Sequence, residues 1–407
     1  MPRKAYLLMS VLVCVGLVLA ACGNTAPGGT VKIVSDLPMV GSALKQTQSI
    51  VNAVQQALTK RDYKVCDGKW TVQYEAHNDG SEELNNWDER VVRENAALYV
   101  ADTSIVAVIG TYNSDAAKIM IPILNQADLV MISPANTYSG LTKPNKGAEG
   151  EPDIYYPNGR RNYTRVVPAD DLQGLVAAQW GQNLGAKSVF ILNNGEIYGT
   201  GLTNVFEQTA VSLGLQVLGH EGIDPAAIQF MAVAQKIVSL NPDLVYYGGT
   251  TQTGGALLVK DIRGAGYTGF IVTSDGMYEQ AFIDIAGEAA EGVYVTFGGL
   301  PPAHLSGAAK EWAEAYRTMY GAEPEAYALY GYVSAELLLD AFDRVCEAGQ
   351  LPTDRLAVRN AVFGAQDFDS IIGKFSIDAN GDTTNSTMSG SQVKNGEFIF
   401  ITLLGSG

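Results

Sequence analysis

The sequence holds little of what catalysis and metal binding usually require. Its three histidines, His77, His220 and His304, stand far apart, and each reads as a surface or strand-end residue. No GxSxG elbow and no paired-carboxylate signature occurs. Four cysteines without a CxxC pair or a His/Cys cluster give no zinc site, and nothing in the chain calls for a cofactor. Basic side chains are scarce as well: 27 Lys and Arg face 43 Asp and Glu, a formal net charge of −16. That balance argues against nucleic acid as a partner, because phosphate binding needs a basic face. No GxxxxGK[ST] exists, and Gly199-Thr200-Gly201 lacks the remaining glycine of a dinucleotide fingerprint. With 407 residues, 47% of them hydrophobic, the chain is long enough for two or three domains with sizeable cores.

The N-terminus is the most specific local signal. Pro2-Arg3-Lys4 is a short basic region, and Ala5 to Ala20 is apolar with only Ser10 as a polar break. Leu19-Ala20-Ala21-Cys22-Gly23 follows. This is the layout of a signal peptide, and Leu-Ala-Ala-Cys resembles a bacterial lipoprotein signal, in which the cysteine sulfur takes a diacylglycerol before cleavage. The alternatives are a plain signal with an incidental cysteine and a single spanning helix, for which the apolar run is short. Residues 1–21 are therefore expected to be removed and Cys22 to carry lipid, with residues 22–29, which include GNTAPGG, as a flexible tether. Cys14 leaves with the signal. Cys66 and Cys346 remain, either joined in an oxidising compartment or as two separate buried thiols.

From Val31 onward, short apolar runs alternate with amphipathic stretches. Strands are expected at Val31–Ser35, Trp70–Glu75, Val106–Ile109, Leu129–Ser133, Val189–Leu192, Gln216–Gly219, Leu244–Tyr247, Phe270–Thr273 and Gly292–Thr296. Most lack strict alternation, as strands covered on both faces do. The β-α-β-α order predicts doubly wound parallel sheets, and the strands are too many for one. Crossings between two lobes are expected near Val166–Pro168 and in Thr296–Pro302, with two long helices, Ser306–Tyr320 and Ala326–Cys346, beyond the second. The tail Ile372–Thr402 reads as alternating strands around the turn cluster Asp378–Asp382. Ligands of such sheets sit beyond the carboxyl ends of the strands. The residues found there are rich in hydroxyls and amides and hold no basic side chain.

The stretches "VAVIGTYNSDAAKIMIPILNQADLVMISPANTYSGLT", "VFILNNGEIYGTGL", "DLVYYGGTTQTGG" and "AGEAAEGVYVT" resemble the leucine/isoleucine/valine-binding proteins, solute receptors of amino-acid ABC importers. The resemblance covers roughly Val31 to Thr402. It implies a bilobed type I periplasmic-binding-protein fold with about three hinge crossings, in which the lobes close over a ligand. Residues 30–166 and 299–371 would form the first lobe, and 167–298 and 372–407 the second. Ser114 matches the serine that grips the ligand α-carboxylate. Ala135 and Thr137 match positions meeting the α-carboxylate and α-ammonium. Tyr198 matches a tyrosine lining the cleft, and Asp275 the acid pairing with the ammonium. Two positions depart: Thr250 stands where leucine-type receptors carry an aromatic residue, and the loop Asp36–Lys45 lacks their tyrosine-glycine.

Each of these residues also has a plainer reading. Ser114 would simply cap the helix beginning at Asp115. Asp275, followed by Gly276, would only shape a turn or cap a helix. The tyrosines Tyr155, Tyr156, Tyr246, Tyr247, Tyr327, Tyr330 and Tyr332 read as packing residues. The resemblance further implies that the helix ending in Cys346 returns to the first lobe, where it meets Cys66, so a disulfide is expected. The whole reads as a monomeric extracytoplasmic lipoprotein anchored through Cys22. It performs no chemistry, binds a branched-chain or similar apolar amino acid, and hands it to ABC importer permease subunits. A sensory module of the same fold, for amino acids or small amides, is the first alternative, and an α/β amidase or esterase the second.

Overall fold

A computed structural model describes residues 28–405; the expected signal, Cys22 and most of the expected tether lie outside the described residues. The chain first builds β1 (Gly29–Leu37), α1 (Leu44–Lys60), β2 (Lys64–Val65), β3 (Trp70–Asn78), the small pair β4 (Gly80–Ser81) and β5 (Asn86–Trp87), and α2 (Glu89–Ala101). It continues with β6 (Ile105–Gly110), α3 (Ser114–Asn125), β7 (Val130–Ser133) and β8 (Tyr163–Arg165). These strands form a sheet in the order β2-β3-β1-β6-β7-β8, parallel except for β2 on β3. Every residue of β6, Ile-Val-Ala-Val-Ile-Gly, is buried, as a parallel strand between two helical layers requires.

Then come α4 (Asp170–Asn183), β9 (Ser188–Asn193), α5 (Ile197–Ser212), β10 (Gln216–Gly222), α6 (Met231–Leu240), β11 (Leu244–Gly248), α7 (Gly255–Gly264), β12 (Phe270–Thr273), α8 (Gln280–Ala286) and β13 (Tyr294–Gly298). The chain next forms α9 (Gly307–Tyr320), α10 (Ala328–Glu347), α11 (Arg355–Phe363) and the hairpin β14 (Phe368–Ser370) with β15 (Gly373–Phe375), and ends in β16 (Met388–Lys394) and β17 (Glu397–Leu404). The second sheet runs β10-β9-β11-β12-β13-β16-β17. It is parallel as far as β13 and antiparallel in its last two strands.

Helices α9 to α11 pack back on the first sheet. Gly331 of α10 is pressed against α1 so closely that an added Cβ would stand 2.8 Å from Ile50 Cγ2, and Ser49 shares a 2.8 Å hydrogen bond with the Tyr316 hydroxyl. The Arg355 guanidinium of α11 donates to the Ile105, Tyr99 and Asp102 carbonyls at 2.8–2.9 Å. The backbone thus passes between the sheets three times: after β8, after β13 and before β16.

The third passage falls later than the sequence suggests. Residues 372–383 were expected with the second sheet, but Gly381 accepts from the Arg165 amide at 3.0 Å and from the Thr164 hydroxyl at 2.7 Å, both on edge strand β8. Asp378–Asp382 does form a turn, closed by the bridge between Ile377 and Thr383. The tail strands themselves reverse at Asn395-Gly396, whose φ values of 54° and 77° suit a tight two-residue hairpin turn.

Cys66, after β2, is bonded to Cys346 near the end of α10, with Cα atoms 5.6 Å apart and a separation of 280 positions in sequence. The bond ties the returning helix to the first sheet. Reduction is expected to lower unfolding stability by about 2–4 kcal/mol. Urea titrations with and without a reductant check this, and coincident curves would show the bond to be idle.

Candidate ligand-binding site

The carboxyl ends of β6, β7, β11 and β12 and the start of α5 converge on one narrow cavity between the sheets. Its lining contains Ser114, Ala135, Thr137, Tyr198, Thr250 and Asp275, all six ligand-binding residues expected from the sequence. Tyr112, Asn113, Glu196, Gly276 and Tyr327 complete it.

The first-sheet wall is a locked turn. Gly110 lies so close to β1 that a Cβ would stand 2.3 Å from the Asp36 carbonyl oxygen, which only glycine tolerates at its φ of 154°. The Ser133 hydroxyl donates to the Thr111 carbonyl at 3.0 Å, and Asn136 Nδ2 to the Tyr112 carbonyl at 2.9 Å. Helix α3 begins at Ser114, after Asn113, whose side chain makes no capping bond. Ser114 is therefore the first helical residue and not the cap. Its Oγ accepts from the Tyr138 amide at 3.4 Å, which leaves its proton free to donate. A hydroxyl at a helix start without a side-chain cap suits an anion.

The second-sheet wall is acidic. Asp275 stands 4% exposed just past β12. It caps no helix; its Oδ1 accepts from the Tyr198 hydroxyl at 2.8 Å and its Oδ2 from the Tyr327 hydroxyl. Burial holds its pKa above the usual carboxylate range, with the two tyrosine donors working against it. An ionised carboxylate accepts about four hydrogen bonds, so room for further donors remains. Tyr327, expected as a packing residue, instead brings a group from the returning helices into the site. Thr250 borders the cavity, but its hydroxyl is 3.0 Å from that of Thr253, in the turn that opens α7.

Contacts also run between the lobes. Both oxygens of Asp115 accept from the Ile197 amide, at 3.1 and 3.3 Å, so a residue of α3 satisfies the first amide of α5. Trp87 Nε1 donates to Glu196 Oε1 at 2.9 Å. Close by, Asp170 is 1% exposed and neither of its carboxyl oxygens has a hydrogen-bond partner. Burial, then the charge of Asp275, holds its pKa well above the ordinary value. No histidine lines the cavity. Among the described residues no group of three or more His, Cys, Asp or Glu could hold a metal ion, and no helix is long and apolar enough to cross a membrane.

Two α/β lobes, three passages and one polar cavity between strand ends define a bilobed solute-binding protein. The chain belongs to the periplasmic binding protein family, whose model matches residues 30–397. It is 28% identical over 278 residues to Leu/Ile/Val-binding protein homolog 1 of Brucella abortus, covering 68% of this chain and 72% of that one. Its fold superposes with a TM-score of 0.80 on a leucine-binding protein from Thermotoga maritima, at 28% identity, over 92% of this chain and 99% of the other. A branched-chain amino acid substrate-binding protein of Streptococcus pneumoniae, solved with isoleucine, matches in fold with a TM-score of 0.77 at 21% identity, over 91% and 99% of the two chains. The family and fold are those of solute-binding proteins and not of enzymes.

Proposed function

We propose that the protein is the extracytoplasmic substrate-binding subunit of an ABC importer and holds an α-amino acid between its lobes. One observation carries this reading: an uncapped helix start with Ser114 and a buried carboxylate, Asp275, face one cavity from opposite lobes. A zwitterion fits that pair of charges, its carboxylate at α3 and its ammonium at Asp275, with Ala135, Thr137 and Tyr198 around the α-carbon. The names of the relatives make branched-chain amino acids the first class to try. Residues 30–166 and 299–371 would move against 167–298 and the tail strands, with residues 372–383 travelling with the first lobe.

The test is a thermal-shift screen of amino acids and small amides, since a ligand that binds only the native state raises its stability. A stabilising α-amino acid supports the reading; stabilisation only by amides or by ligands without an ammonium would reassign the site. Anchoring through Cys22 belongs to the same proposal. A labelled fatty acid should be incorporated into the wild-type protein and not into Cys22→Ser, and an unlabelled wild type would remove the anchor.

A further inference from the structure

The lining of the cavity contains no aliphatic side chain larger than that of Ala135, and its aromatic members, Tyr112, Tyr198 and Tyr327, all carry hydroxyls. It does contain a second carboxylate, Glu196, and no cation. Glu196 lies just before α5 and is half-buried. It is held from both lobes: Trp87 Nε1 donates to Oε1 at 2.9 Å and Asn194 Nδ2 to Oε2 at 2.8 Å. Two donors leave acceptor capacity on both oxygens. Burial first, then the nearby charge of Asp115, pushes its pKa up to about 7. An aliphatic ligand side chain brought here would strip water from this carboxylate and from the hydroxyls without replacing those bonds, which is unfavourable. On its other side Glu196 also borders an outer groove, together with Ile197, Thr200 and the loop at Lys146.

We infer that Glu196 selects the ligand by its side chain, and that the preferred ligand is an α-amino acid whose side chain ends in an N–H or O–H donor: a hydroxyl, a carboxamide or an ammonium. This rests on the amino-acid reading of the site and narrows it away from purely aliphatic side chains. Asp275 would take the α-ammonium, and Glu196, at the outer end of the cavity, the side-chain donor. A site built to hydrogen-bond a ligand group rejects the analogue lacking it far more strongly than a greasy pocket rejects a missing methylene.

Isosteric pairs provide the test: threonine against valine, glutamine against methionine, lysine against norleucine, each titrated calorimetrically into the wild-type protein. At least one donor-bearing member should bind ten-fold or more tightly than its partner. In Glu196→Leu that ratio should collapse towards one, or invert. The wild-type comparison stands by itself should the variant fold poorly. Valine, methionine and norleucine binding as well as or better than their partners overturns the role of Glu196 and leaves the amino-acid reading intact. Binding of no α-amino acid at all overturns both.

Discussion

Asp275→Asn is expected to weaken amino-acid binding by about 3–5 kcal/mol, roughly two to four decades in Kd, while the melting temperature of the ligand-free protein hardly moves. Asparagine keeps the size of the side chain; its carbonyl oxygen can accept from one of the two tyrosine hydroxyls while its NH2 donates to the other, so the turn after β12 survives. What it cannot do is neutralise an ammonium enclosed between the lobes, where an unpaired charge is very costly. Acidification should act in the same direction. Burial raises the Asp275 pKa, so a proton competes with the ammonium for this carboxylate. Affinity should therefore fall as the pH drops through the raised pKa, and Asp275→Asn should lack that component of the pH dependence. Calorimetry on both proteins at neutral and acidic pH decides. Wild-type-like affinity in the variant would remove Asp275 from the site.

The second large effect concerns stability. Arg165, at the end of β8, is fully buried. Its Nε donates to Asp382 Oδ1 at 2.7 Å, and Nη1 to the Tyr138 and Asn136 carbonyls at 2.9 and 3.2 Å. Its Nη2 reaches the Thr142 hydroxyl, which also lies 3.0 Å from both Asp382 oxygens. Arg165→Met leaves the buried Asp382 carboxyl without its cationic partner, and should cost about 3–5 kcal/mol. Adding Asp382→Leu removes the stranded carboxyl and should recover much of that loss, because an apolar replacement of a whole buried pair is often neutral or better. Urea unfolding of the two single variants and the double variant measures the coupling; strictly additive losses would show that the two side chains act independently. The same guanidinium fixes the loop that carries Ala135 and Thr137, so Arg165→Met should also weaken ligand binding.

The strand-and-helix order was legible because buried parallel strands announce themselves as short apolar runs, and the ends of those strands located the cavity. Ser114, Ala135, Thr137, Tyr198, Thr250 and Asp275 each lie just beyond a strand, where sequence order translates directly into position. Their roles at the ligand remain proposals. Glu196 stood inside a stretch already singled out, Asn193-Asn194-Gly195-Glu196, but nothing in a turn's sequence tells which side chain points inward. Tyr327 was harder still. It reaches Asp275 from helices that return to the first sheet after the whole second sheet has formed, and only packing reveals that. The buried acids were illegible for a different reason: Asp36, Asp79, Asp170 and Glu279 are at most 3% exposed, although acidic residues are ordinarily solvated. Asp378–Asp382 misled because a turn signal gives no indication of what the turn docks against. Here it docks on Arg165 and not between the tail strands.

The three passages between the sheets also bear on how the chain finds its structure. β13 pairs on one side with β12, but its partner on the other side is β16, some 90 residues further on, and those intervening residues complete the other lobe. Neither lobe can be assembled from one contiguous segment. A chain emerging N-terminus first would hold the edge of β13 unpaired, and the first-sheet surface that α10 covers bare, until its last quarter arrived. Such long-range closures slow folding, and open strand edges in the meantime invite association between chains. Refolding of full-length protein should accordingly be slow and strongly concentration-dependent in yield, and a fragment ending before residue 388 should be prone to aggregate through that unpaired edge.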